Sequence, residues 1–298
     1  MNSVNTNTSA LVALQSLNRT TSQLDVTQKR ISTGFRVADA KDDGAAFAVA
    51  QKVRADMSGL TSANEQLGAT KGLLDTTLSG LGRVSDTLAN VRAVAIKLAD
   101  DQVTGSLRTA YESQYNELRT QVGRFVNDSV YNGVTLLGTS TAGGAATAAA
   151  GTNFNVVRNE SGGTFSINGN ALVSGENRLD LSSATTINGA AATDAAKAAA
   201  WAATLDSTAS AAGQLKYVET EVNASLNKFG NANRQVDNQI AFNKDKLDAL
   251  ESGLGSLIDA DLAKEAARLQ ALQIRQQLGA TALSTANSAP QVLLSLFR

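Results

Sequence analysis

Cysteine and histidine are both absent from the 298-residue chain, and proline occurs once. Without cysteine there is no disulfide framework, thiolate zinc site or iron–sulfur cluster. Without histidine the commonest acid–base group and the commonest metal ligand are missing. Most hydrolase and metalloenzyme chemistries are thereby removed, though not carboxylate or lysine chemistry. Neither sign of charge dominates: 26 Lys and Arg face 27 Asp and Glu, for a net charge of -1. Wholesale nucleic-acid binding needs a basic excess to neutralise phosphates, so it is not expected. Aromatic residues make up 4% of the chain. Roughly one residue in six is Ala, well above usual usage. Few side chains are large enough for a thick globular core, which favours slender helix-on-helix packing.

Average proline usage of about 5% would put roughly 15 in a chain this long. The one present is Pro290. Everything before it is free to form long helices, because proline removes a helix hydrogen bond and clashes with the preceding turn. No stretch approaches the ~18 consecutive apolar residues of a membrane span. The start, MNSVNTNTSALVALQSLNRTT, has neither the basic nor the apolar region of a cleaved secretory signal. If the chain leaves the cell, a dedicated exporter must recognise something else.

What is present falls into zones. Helical periodicity runs to about Thr135 and returns from Leu215. Between about Gly138 and Gly213 the chain is rich in Gly, Ala, Thr and Ser, with short alternating stretches at Phe154-Asn155-Val156 and Thr164-Phe165-Ser166-Ile167. Asn168-Gly169 is a hairpin-turn signal between Phe165/Ile167 and Leu172/Val173. Ala195 to Ala203 reads as a short helix.

The clearest pattern is Leu215, Val218, Val222, Leu226, Phe229, Asn233, Val236, Ile240, Asn243, Leu247, Leu250, Leu254 and Leu257. The steps are three or four throughout, a coiled-coil-like seam with one stutter. At 1.5 Å per residue it spans on the order of 65 Å, too long to be buried in a compact globule. Its expected partner is the ridge Val49, Val53, Met57, Leu60, Asn64, Leu67, Leu74, Leu78, Leu81, Leu88, Val91, Ala95 and Leu98. A shorter helix offers Leu107, Tyr111, Tyr115, Leu118, Val122 and Phe125. Tyr131 to Leu137 then reads as a turn entering a strand. Asn233 and Asn243 are expected to set register within the seam.

Both chain ends carry further stripes. Ala10, Leu14, Leu17, Thr21, Leu24, Gln28 and Ile31 step by four and three, with Leu11 alongside. Leu262, Ala266, Leu269, Leu272, Gln276 and Leu283 do the same, thickened by Ile274 and Leu278. Gly34 is a candidate glycine ending the first helix, and Asp43 a candidate N-cap for the next. Two readings of the end stripes compete. They pair with each other, or they stay poorly ordered until neighbouring subunits complete the packing.

These residues carry a resemblance. Val4-Asn5-Thr6-Asn7, Leu14, Leu17 and RISTGFRVADAKDDGAAFAVA from Arg30 are similar to the N-terminal pattern of bacterial flagellin. There an R-[IL]-[SN]-[ST]-G-x-[RK]-[IV] stretch is followed by AKDDAAGLAIA. IDADLAKEAARLQALQIRQQLGATALSTANSAPQVLLSLF, from Ile258, resembles the C-terminal pattern more closely still. The likeness covers about the first 135 and last 85 residues, and the middle carries no motif of that pattern.

The resemblance implies a structural subunit that is exported through the flagellar type III apparatus and polymerises into the helical filament for motility. The implied location is extracellular, without a cleaved signal peptide. The implied partners are other copies of itself, an export chaperone, the filament cap and hook-associated proteins. No enzyme activity, cofactor, metal, nucleic acid or membrane insertion is expected. The implied fold is mainly α: a long coiled-coil-like helical rod built from both chain ends, with a small α+β insertion containing short strands and hairpins. Its expected parts are a filament-core helix and linker over 1–43, rod over 44–137, a variable surface-exposed insertion over 138–213, rod helix over 214–257 and filament-core helix over 258–298. Filament-core packing is assigned to Leu11, Leu14, Leu17, Leu24, Ile31, Leu262, Leu269, Leu272, Leu278, Leu283, Leu293 and Leu296. Rod packing is assigned to Val53, Leu60, Leu67, Leu74, Leu81, Leu88, Phe229, Val236, Ile240, Leu247 and Leu254.

Smaller signals have plainer explanations beside the sharper ones. Asp39, Asp42 and Asp43 fit helix capping better than a cation site. Asp259, Asp261 and Glu265 read as a solvated or inter-subunit salt-bridging face. Arg92 lies in LANVRAVAIK, similar to the family segment LQRVRELAVQ bound by an innate immune receptor. Asn90 and Ala93 replace its Arg and Glu, so receptor binding is not expected and Arg92 reads as a surface charge. Thr164, Ser174, Ser182 and Thr185 are candidates for O-glycosylation or simply surface hydroxyls. The alternatives to a filament subunit are a hook–filament junction protein and, from another class, an exported coiled-coil effector or adhesin.

Overall fold

The computed structural model describes residues 7–137, 153–169, 181–189, 191, 193–205 and 215–296, with side chains described up to 288. In chain order these form helices α1 (Thr8–Thr33), α2 (Gly44–Leu98) and α3 (Gly105–Asp128), strands β1 (Phe154–Val157) and β2 (Thr164–Ile167), and helices α4 (Ala184–Asn188), α5 (Asp194–Thr204), α6 (Leu215–Ile258) and α7 (Leu262–Leu296). The fold is mainly α. With no proline to interrupt them, α2 reaches 55 residues and α6 reaches 44. The chain divides into two compact units, Met1–Met57 with Leu247–Arg298, and Ser58–Lys246. Both α2 and α6 contribute to each.

In the Ser58–Lys246 unit, α2 and α6 run antiparallel. Cross-helix polar contacts step down one helix as they climb the other: Asn64 with Asn243, Lys71 with Asp237, Asp75 with Asn233, and Arg92 with Glu219. In the core they share, Leu67, Leu74, Leu81, Leu88, Phe229 and Val236 are buried and Ile240 is half-buried, and Leu60 is also buried on α2. α3 adds Tyr115, Val122 and Val126 to the same core. Gly80 lets the end of α3 come close, since a Cβ there would overlap Ser129 Oγ.

Two inward positions differ from the sequence reading. Leu107 is 50% exposed, and its neighbour Arg108 turns inward to bond the carbonyls at the end of α2. In the other unit Val49 is exposed, while Ala50 packs with Val37 and Ile258, where a small residue permits close approach. The expected strand after Tyr131 does not form. Tyr131 and Val134 exchange backbone bonds around Asn132 (φ 50°) and Gly133 (φ 77°), but Leu136 and Leu137 are then both fully buried. A strand with one buried face cannot bury two consecutive side chains.

Among its described residues the middle segment holds one antiparallel hairpin, with Phe154 opposite Ile167 and Val157 opposite Thr164. Its turn is Arg158–Gly163, closed by Arg158 N–H donating to Gly163 O at 2.8 Å. The turn expected at Asn168-Gly169 leads to Leu172 and Val173, which lie outside the described residues. Ala195 to Ala203 is helical, within α5. The described part of this segment is not confined to the surface: Val156, Ile167, Leu181, Ala184 and Trp201 belong to one buried cluster with the long helices.

Candidate assembly surface

The unit formed by the two chain ends is held at both extremities and along the α1–α7 pair between them. Asn7 caps α1 by accepting from Ala10 N–H at 3.1 Å, and its Nδ2 donates to Ala286 O at 2.7 Å on α7. The helices are antiparallel, and Leu17 comes close to Gly279 because glycine carries no Cβ. α1 ends at Gly34, whose φ of 76° suits glycine, with its N–H donating to Arg30 O. The chain then pairs with the end of α6: Arg36 and Val37 N–H donate to Ile258 O, and Ala260 N–H donates to Gly34 O.

Charged groups close this junction. Arg30 Nη1 lies 3.1 Å from Glu265 Oε1, with the carboxylate only 10% exposed. Lys29 bridges Asp39 at 2.7 Å and Asp42 at 3.0 Å. Asp39 also accepts from Lys41 and Asp42 N–H, and Asp42 from Ala38 and Asp39 N–H. Of the three aspartates, only Asp43 caps α2, accepting from Ala45 and Ala46 N–H. The capping reading is therefore corrected for Asp39 and Asp42, which tie the linker loop to Lys29. Asp259 and Asp261 are exposed, as a solvated face requires, and Asp261 also caps α7 by accepting from Lys264 N–H. Glu265 departs from that reading, since it is buried and pairs with Arg30 of the same chain.

The Lys29 ammonium holds the Asp39 and Asp42 carboxyls below the ordinary value of 3.8, helped by the backbone N–H groups they accept from. Depressed carboxylates stabilise the folded loop above their unfolded pKa and lose that contribution as pH falls through the folded values. Amide protection factors in 36–43, that is exchange rates corrected for the intrinsic pH dependence of amide exchange, should therefore fall on acidification below about pH 4. The same titration of protection in Lys29→Met should show a weaker pH dependence, and identical curves would count against the network.

The apolar stripes are divided between inward and outward positions. Of the large apolar side chains described on α1 and α7, Leu24 and Leu272 alone are buried. Leu17, Ile31, Leu269 and Leu283 are half-buried. Leu11, Leu14, Leu262 and Leu278 are exposed, by 58%, 43%, 51% and 62%, and so are Val12 and Ile274. Leu293 and Leu296 lie outside the described side chains. α7 thus carries apolar residues around its circumference, the pattern of a helix surrounded by other protein rather than lying on a surface. Two helices cannot cover each other all round, so these apolar side chains stay open on the subunit by itself.

Other sequence candidates sit elsewhere. Val53, Leu247 and Leu254 are half-buried. Arg92 is an inter-helix ion pair to Glu219 at 2.9 Å, rather than a lone surface charge. Thr164 and Thr185 are exposed, Ser182 is half-buried, and Ser174 lies outside the described residues. Sequence reasoning missed the Arg30–Glu265 pair, although both residues stood inside the quoted motifs. Among the described residues no group of three or more His, Cys, Asp or Glu is placed to hold a metal, and no helix is long and apolar enough to cross a membrane.

Comparison with known proteins bears on the same two ends. Residues 4–142 match the family described as bacterial flagellin N-terminal helical region, and residues 214–297 match the bacterial flagellin C-terminal helical region. Flagellin FljO of Caulobacter vibrioides is 34% identical, covering 100% of this chain and 99% of that protein. Flagellin FljJ of the same organism is 36% identical over 99% and 98%. A flagellin of Brucella melitensis is 32% identical over the full length of both.

Proposed function

Since the chain belongs to the bacterial flagellin family and is a structural subunit of the extracellular flagellar filament, we propose that its α1–α7 pair is the part that joins subunits. The observation that carries this reading is the apolar surface left outward on that pair by Leu11, Leu14, Leu262, Ile274 and Leu278. Neighbouring copies cover it, burying Leu11, Leu14, Leu17, Leu24, Ile31, Leu262, Leu269, Leu272, Leu278, Leu283, Leu293 and Leu296 in a common core. The contact is head-to-tail and does not close on itself, so it grows as an open helical filament.

Ordering of the ends is completed at assembly, when they lose their conformational entropy against the apolar area buried. Val53, Leu60, Leu67, Leu74, Leu81, Leu88, Phe229, Val236, Ile240, Leu247 and Leu254 hold the helices that carry the ends. Export proceeds through the flagellar type III apparatus, with a chaperone, the filament cap and hook-associated proteins as partners. The protein is not an enzyme, and Thr164, Ser174, Ser182 and Thr185 are the hydroxyls offered for O-glycosylation. The hook–filament junction and effector or adhesin readings are not favoured, because the relatives matched end to end are flagellins.

Leu11→Asp and Leu278→Asp separate assembly from folding. Both side chains are exposed, so the circular dichroism spectrum and thermal midpoint of the soluble subunit should be nearly unchanged, within about 0.5 kcal/mol. Seeded elongation followed by light scattering should fall at least about tenfold, since a charge enters a desolvated interface. Elongation at the wild-type rate would remove these residues from the subunit contact.

A further inference from the structure

Both long helices run through both units, and a helix transmits order along its length because each added residue extends an existing hydrogen-bonded turn. Disorder in the chain ends would therefore fray inward along α2 and α6 unless something held those helices. The tip of the β1–β2 hairpin meets them at that place. Arg158 O accepts from Asn243 Nδ2 at 3.0 Å and from Gln239 Nε2 at 3.3 Å. The same Asn243 Nδ2 donates to Asn64 Oδ1 at 2.9 Å, while Asn243 Oδ1 accepts from Gln239 at 2.9 Å. Asn243 is fully buried, and both of its polar atoms are thereby engaged.

One turn along α6, Lys246 Nζ lies 2.6 Å from Glu160 Oε1. Opposite, Glu160 rests on α2 at Gly59, where an added Cβ would come within 3.1 Å of the Glu160 Cβ. The other carboxylate oxygen of Glu160 is buried without a partner, so the ammonium is what offsets its desolvation and keeps the carboxyl below its ordinary value of 4.5. Gly59, Asn64, Gln239, Asn243 and Lys246 all lie within a few residues of the boundaries at Ser58 and Lys246.

We propose that the hairpin tip Arg158–Gly163 is a fray stop: it pins α2 and α6 where the Ser58–Lys246 unit ends, so that the chain ends order and disorder without melting the rest. It deepens the assembly reading, which supplies the reason for such a stop. The physical effect itself does not depend on that reading, because it is measured on the unassembled subunit. A polar node is suited to this task. Apolar contacts tolerate sliding, whereas a buried Asn with directional partners is satisfied in one register alone.

Native-state hydrogen exchange on the full-length monomer tests it, in the wild type, Asn243→Ala and Glu160→Gln. In the wild type, protection should rise sharply from 247–257 to 236–246 along α6, and from 44–57 to 60–67 along α2. Asn243→Ala should raise exchange in 236–246 and 60–67 on the order of tenfold or more, with amides around Trp201 unchanged. Glu160→Gln keeps the side-chain shape and should give a smaller rise in the same segments, so it decides the matter if Asn243→Ala fails to fold. Unchanged exchange there in both variants would overturn the proposal, as would a loss of protection spread evenly to Trp201. Failure of the wild type to polymerise would instead remove the assembly reading and leave the exchange pattern standing.

Discussion

Replacing Arg108 with methionine should lower the stability of the Ser58–Lys246 unit by roughly 3–5 kcal/mol, the range found when a buried charged network loses one member. Arg108 is only 2% exposed. Its guanidinium donates to three carbonyls: Leu98 O at 3.0 Å, Asp100 O at 3.1 Å and Val103 O at 2.8 Å. Those carbonyls belong to the end of α2 and the turn into α3, where no further helical turn can satisfy them. Asp194 stands 3.7 Å from Arg108 Nε, and its other oxygen accepts from Gly105 N–H at 3.2 Å. One arginine thus closes a helix end, orders a turn and docks the start of α5. Methionine keeps the apolar stem and removes every donor. Thermal melts followed by Trp201 fluorescence should show a fall of roughly 10 °C, and a shift of less than about 2 °C would contradict the role given to Arg108.

Trp201→Ala should cost a similar amount, about 3–5 kcal/mol, because a large aromatic leaves a cavity that helices cannot close. Trp201 is fully buried, and its ring meets Tyr115 edge-on with centroids 4.6 Å apart. Its indole N–H donates to Asn188 Oδ1 at 3.0 Å, Asn188 Nδ2 donates to Glu112 Oε1, and Tyr115 OH donates to Ser182 O. The variant should therefore loosen α4 and α5 from α3 first. Denaturation followed by circular dichroism should show an earlier midpoint, and limited proteolysis should cut first within 181–205. An unchanged midpoint would mean that the middle segment is packed on the surface and does not form part of the core.

The long helices were legible because a seam such as Val218, Val222, Phe229 and Val236 leaves no other period open, and no proline interrupts it. The ends of helices were legible where chemistry is local, as at Gly34 and Asp43. Rotational detail was harder to read. Val49 and Ala50, or Leu107 and Arg108, are neighbours on a helix, and choosing between them depends on what faces them. Hydrophobicity favoured Val49 and Leu107; close approach and orphan carbonyls selected Ala50 and Arg108. The middle segment gave little because its Gly, Ala and Ser content carries no long period, and its packing depends heavily on a single tryptophan.

The candidate site was legible in outline, through motifs at both ends of the chain. Its division into inward and outward leucines was not. Leu272 and Leu278 are alike in sequence, and only the placement of α1 tells them apart. Arg30 and Glu265 are 235 positions apart, beyond the reach of any local pattern.

The central claim is that the chain ends build the filament. It is tested most directly by adding filament seeds to purified subunit, with and without the residues beyond Leu283, and measuring filament mass by sedimentation and electron microscopy. The full chain should elongate the seeds, and the shortened chain, with its 58–246 unit still folded, should not. Equal filament yield from the two would contradict the account.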